Sequence, residues 1–232
     1  MKHEDIREFV RSQRSRDPRP MNAFVSSMLS LTNASKELDG IEMSASSKTL
    51  LKHLIVIHVV TVLECYFRDS IDAIFRLCEH GAFVPALNKL AKQKYSIQEI
   101  VELEAAGLHI LQVIPREMSF QSLEQISGAF DNFILAGFVK EVGKHQFRFK
   151  DLQSQIMEVS AKTLADLATL FSTRHELVHN PDEKVLRANP PDLECCIETV
   201  WNFVFCANAV IENFIGDNLK ESVALTVTKR PV

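Results

Sequence analysis

Residues 47–79 read SKTLLKHLIVIHVVTVLECYFRDSIDAIFRLCE. Leu50, Leu51, Leu54, Ile55, His58, Val62, Cys65, Phe67 and Ile71 give a broad apolar face at helical spacing. The middle of the stretch, Ile55-Val56-Ile57-His58-Val59-Val60, is β-branched and on its own would pass for a strand. The helical period continues on both sides of that patch, however, so the whole is read as one long helix with Gly81 as its stop.

The flanking sequence repeats the pattern. Upstream, a helix is expected from Ala23 to Leu38, ending near Gly40, after a short helix and a Pro-containing linker in residues 1–20. Downstream, Ser96-Ile97-Gln98-Glu99 is a capping box that opens a helix to about Val113, with Pro115 after it. Ser122-Leu123-Glu124-Gln125 opens another, with Gly137 past its end. Phe138 to Phe149 (FVKEVGKHQFRF) alternates around a central glycine and reads as a short hairpin or an irregular loop. Asp151 to His179 reads as one helix stopped by Asn180-Pro181, because the residue before a proline is pushed out of helical geometry. Pro190-Pro191-Asp192 begins a last helix to Ile215 with Gly216 as its stop, and the tail to Val232 reads as a strand or as disordered chain. The expectation is an all-α bundle of about six helices, with residues 82–150 as an insertion that has room for a small hairpin. Its parts are N-terminal helices and linker (1–46), a helical domain (47–216) and a C-terminal tail (217–232).

Composition agrees. Gly (7) and Pro (8) are sparse in 232 residues, which favours few, long elements over many turns. Hydrophobic residues at 46% and charged residues at 24% exclude a globally disordered chain. A net charge of −4 argues against coating nucleic acid through bulk charge, though not against a local basic site. Two such clusters exist: Lys2, Arg7, Arg11, Arg14, Arg16 and Arg19 before Pro20, and Lys140, Lys144, His145, Arg148 and Lys150. Both read first as solvated surface, with phosphate contact as the alternative. The five cysteines, Cys65, Cys78, Cys195, Cys196 and Cys206, have no CxxC spacing and read as small buried hydrophobes in a reducing compartment. The most apolar run, Leu54 to Leu63, is far shorter than the roughly 20 residues a membrane span needs, and the N-terminus has no apolar signal core. A cytoplasmic protein without membrane contact is expected.

The chemistry gathers at Arg174-His175-Glu176-Leu177-Val178-His179. Turning about 100° per residue puts Leu164, Leu167, Ala168, Leu170, Phe171, Leu177 and Val178 on one apolar arc. Arg174 and His175 fall inside that arc and His179 at its edge. A guanidinium aimed at a core or an interface is costly unless paired or bathed by a wet site. The structural reading is that Arg174 caps carbonyls and pairs with a carboxylate such as Glu64, helped by the helix dipole.

Two functional readings use the same letters. His175-Glu176-Leu177-Val178-His179 matches H-E-x-x-H, which sets two imidazoles one turn apart for zinc beside a general-base glutamate; Glu194 or Glu198 would be the third ligand. Pro181 ends the helix at once, and no sheet is at hand to bind an extended peptide.

The other reading takes Arg174, polar His175, and then His179-Asn180 after apolar Leu177-Val178. This segment resembles the signature of HEPN domains, helical domains whose hallmark is an arginine, a polar neighbour and a histidine a few positions on. Leu63-Glu64-Cys65-Tyr66-Phe67-Arg68-Asp69 is similar to the family's upstream acidic helix. Phe120-Gln121-Ser122-Leu123-Glu124-Gln125-Ile126 is similar to the branch called RiboL-PSP-HEPN. The resemblance spans Ser47 to Ile215. It implies a HEPN-like helical bundle and a metal-independent endoribonuclease without cofactor, with Arg174 and His179 catalytic and His175, Asn180 and Glu64 auxiliary. It also implies a homodimer that brings two motifs face to face, RNA as substrate, and a toxin or antiviral defence role with an antitoxin or other defence-system protein as partner. The residue chemistry is compatible: arginine is a permanent two-pronged donor to phosphate oxygens, and imidazole moves protons near neutral pH. The reading from a different class is a non-catalytic helical module that binds RNA, nucleotide or a protein.

Overall fold

The computed structural model describes residues 19–90, 96–105, 110–148, 156–180, 182, 186 and 188–220. Among these the fold is all-α, with nine helices and one small two-stranded sheet. The long helix expected at 47–79 is α2 (Ala45–Leu77), preceded by α1 (Pro20–Gly40). Ser44 caps α2 by accepting the Ser47 backbone N–H at 3.2 Å. The β-branched patch is helical after all, and Val56, Val59 and Val60 are fully buried in it. The short link after Gly40 makes α1 and α2 an antiparallel pair: Phe24 meets the Tyr66 ring at 5.5 Å, while Asp39 lies 3.6 Å from Lys52.

After α2 come α3 (His80–Leu90), α4 (Ile97–Ala105), α5 (Ile110–Glu117), α6 (Leu123–Phe133) and α7 (Phe138–Val142). Strand β1 (Gln146–Arg148) pairs antiparallel with β2 (Ile156–Glu158), Phe147 opposite Met157. Helices α8 (Ala161–His179) and α9 (Leu193–Asp217) close the bundle. Helix α9 runs alongside α2 in the same direction. Phe203 sits 5.9 Å from Phe67, Tyr66 Oη donates to Asn208 Oδ1, and the Lys220 backbone N–H donates to Leu77 O. Helix α8 packs on both. One core joins these elements, and Phe67 is its hub, with Tyr66, Phe120, Phe130 and Phe203 within about 6 Å.

Several expected boundaries move. Gly81 lies inside α3, and α2 stops at Cys78, whose backbone bridges to Leu219. The helix expected from Ser96 to Val113 is two helices, with Pro115 inside the second; its capping box does form, Ser96 and Glu99 bonding reciprocally. The described part of the next stretch, residues 138–148, is a short helix followed by a strand, not a closed hairpin or a loop. Gly137, at φ 81°, turns the chain into α7, and β1 follows. The helix expected from Asp151 begins only at Ala161, where Ser160 and Thr163 make a capping box, and β2 occupies part of the stretch before it. Gly216 lies within α9. The expectations for residues 1–18 and 221–232 fall outside the described residues. By length and composition α2 and α9 would each suffice to cross a membrane, beyond the Leu54–Leu63 run read from the sequence; here both lend side chains to the shared core.

None of the five cysteines is in a disulfide among the described residues. Burial pushes the thiols of Cys78 and Cys206 up to about 11 and that of Cys196 to about 12. His53 on α2 is 3% exposed, and its Nδ1 has no hydrogen-bond partner among the described residues. Burial lowers its pKa, so the folded imidazole stays neutral to lower pH than the unfolded one, which titrates at roughly 6.5. The unfolded chain then binds the extra proton, and stability is lost as pH falls below about 6.5. The denaturation midpoint should therefore drop less between pH 7 and pH 5 in His53→Gln than in the wild type. Parallel pH profiles for the two proteins would refute this.

Candidate functional site

Arg174 leaves α8 in the middle of its buried arc, among Leu167, Leu170 and Leu177. Its side chain is 14% exposed, and Nη2 lies 3.5 Å from Oε1 of Glu64, itself 10% exposed, on α2. The other Glu64 oxygen accepts from Gln121 Nε2 at 3.5 Å. Gln121 stands just ahead of α6, where its backbone N–H donates to the Gln125 side chain at 2.8 Å and the neighbouring Phe120 is fully buried. Three segments far apart in the chain thus meet at one carboxylate.

The meeting leaves polar atoms without partners. Arg174 Nε, Glu64 Oε1 and Arg68 Nε are buried and have no hydrogen bond among the described residues. At 3.5 Å the Arg174–Glu64 contact is an ion pair and not a close hydrogen bond.

The two histidines point elsewhere. His175 and His179 are exposed, with ring centroids 4.6 Å apart and planes tilted by 44°. His175 was expected inside the apolar arc. The arc read from the sequence is wider than the surface that covers it, and Ala168 and Val178 on its flank are exposed as well. Arg174 and His179 leave the helix about 140° apart. Asn180 closes α8, its backbone N–H donating to Glu176 O at 2.9 Å, and its side chain is exposed.

For the zinc reading, His175 and His179 do share one turn, but Glu194 and Glu198 line a cavity of about 620 Å³ between α1 and α9 that α8 does not reach. Among the described residues no three His, Cys, Asp or Glu side chains come together as a metal site. Gln121 and Arg68 were not singled out as site residues. Glu64 and Arg68 stand four apart on one face of a helix, the spacing at which side chains are neighbours, and that signal was open to reading.

No protein-family model, no curated protein and no solved structure matches the chain.

Proposed function

We propose that the chain is a metal-independent endoribonuclease of HEPN type, acting in the cytoplasm as a toxin or antiviral defence effector. The observation that carries this is the convergence of Glu64, Gln121 and Arg174, one from each of the three segments that carry the family resemblance. In this reading Arg174 binds a non-bridging oxygen of the scissile phosphate. His179 takes the proton of the ribose 2′-hydroxyl as its oxygen attacks phosphorus. A second imidazole gives a proton to the departing 5′-oxygen, leaving a 2′,3′-cyclic phosphate and a 5′-hydroxyl. His179 is exposed and turned about 140° from Arg174, which suits a site completed by a second copy of the chain. His175 and Asn180 border the same exposed end and can orient the phosphate.

Purified wild type, Arg174→Ala and His179→Ala, incubated with mixed RNA with and without EDTA, test this. Cleavage that survives chelation, ends in cyclic phosphate and is lost in both variants is expected. Loss of cleavage on chelation would return the two clustered imidazoles to the zinc reading. One observation favours a second reading, a non-catalytic module that binds RNA, nucleotide or a protein: the Arg174 guanidinium is already engaged by Glu64, as in a structural ion pair. Absence of cleavage under every condition would support that reading.

A further inference from the structure

Glu64 has a second arginine beside it. Arg68 lies one helical turn further along α2 on the same face, at the spacing where a glutamate followed by an arginine ordinarily pairs. Here Arg68 Nε is buried without a hydrogen bond, and Glu64 faces Arg174 and Gln121 instead. The next carboxylate along that face, Asp72, is held by Arg76 at 2.9 Å. Arg174 holds Glu64, while Arg68, one turn from Glu64 on the same helix face, makes no ion pair with it. Two arginines thus stand against one carboxylate, a formal excess of one positive charge in a largely buried setting. A buried guanidinium nitrogen without a partner is costly, and its natural complement is an oxyanion with several acceptor oxygens. Such a group would satisfy Arg68 and Arg174 together; a neutral acceptor would take a hydrogen bond but leave the excess charge, and a cation would add to it.

We propose that Arg68 and Arg174 form a two-arginine oxyanion site in which Glu64 is an exchangeable counter-ion, displaced from Arg174 when an RNA phosphodiester binds. This rests on the nuclease reading for the identity of the anion; the site itself rests on the unpartnered atoms. Arg68 is then a phosphate-binding residue. Glu64 competes with the substrate, which sets it apart from an ordinary structural partner: removing its charge tightens anion binding while leaving Arg174 less well held.

The test uses the full chain and a fluorescein-labelled oligoribonucleotide fully 2′-O-methylated, which binds but has no 2′-hydroxyl to attack. Anisotropy titrations at several salt concentrations are run beside cleavage of the unmodified oligonucleotide. Arg68→Gln should weaken binding about tenfold, the loss expected for a charge-assisted hydrogen bond, and reduce the salt dependence by about one phosphate contact. Arg68→Lys should restore the salt dependence, since it keeps the charge. Glu64→Gln should bind several-fold more tightly even as its melting temperature falls. Unchanged affinity and salt dependence in Arg68→Gln, or weaker binding by folded Glu64→Gln, would overturn the proposal. If the binding differences hold but no protein cleaves the unmodified RNA, the oxyanion site stands and the nuclease reading falls. If the wild type cleaves and Arg68→Gln cleaves with an unchanged KM, the nuclease reading stands and the site falls.

Discussion

His179→Ala is expected to lower kcat for RNA cleavage by about 10²- to 10⁴-fold while shifting the melting temperature by no more than about 2 °C. The large effect follows from its place in the proposed reaction, where its imidazole takes the 2′-hydroxyl proton. The small one follows from position: His179 ends α8, is exposed, and has the His175 ring as its neighbour. Surface substitutions of that kind stay within about 0.5 kcal/mol. Arg174→Ala should be equally inactive for a different reason and with a different signature. It leaves Glu64 buried with its counter-charge gone, and should cost about 1–3 kcal/mol of stability as well. Arg174→Lys then separates the roles. It should recover much of the stability through its charge, yet little of the activity, because an ammonium lacks the planar fork that grips a phosphate. Cleavage by His179→Ala at the wild-type rate would remove the histidine from the mechanism, whatever Arg174 does.

The inward aim of Arg174 was legible in the sequence because a helix of nineteen residues fixes direction by period alone. Glu64 was legible too, as a carboxylate on the longest apolar helix. What the period does not report is how much of an apolar arc another element covers. The buried residues of α8 are Thr163, Leu167, Leu170, Phe171 and Leu177, while His175 and Val178 come out into solvent. The same distinction runs through the fold. Long helices such as α2 and α9 announce themselves over several turns, and local caps such as Ser96 with Glu99 are readable from single residues. Strand β2, three residues long, is too short to show a period of its own, and the sequence around it was absorbed into the neighbouring helix. Glycine was the least reliable marker: Gly81 and Gly216 sit inside helices, where packing overrides a modest intrinsic cost, and among the described residues only Gly137 takes the left-handed turn that needs one.

The core joins these observations to the site, and the second large effect is expected there. Phe67→Ala should cost about 3–5 kcal/mol, a fall of roughly 10 °C in melting temperature, because Phe67 is fully buried and its ring meets those of Tyr66, Phe120, Phe130 and Phe203. Those partners come from α2 itself, the segment before α6, α6 and α9, so the cavity would open where four segments meet and no single side chain can move to fill it. Leu54→Ala, on the same helix but 48% exposed, should by contrast change stability by less than about 0.5 kcal/mol. Thermal unfolding of the two variants reads the difference directly, and a melting temperature for Phe67→Ala within a few degrees of wild type would mean the aromatic cluster is not the keystone of the core. The effect reaches the site by a short path. Phe120 is anchored on Phe67, and the next residue, Gln121, supplies the amide that holds the second oxygen of Glu64. Below its melting temperature, folded Phe67→Ala should therefore also cleave RNA more slowly, and Phe67→Leu, which refills most of the space, should recover activity and stability together.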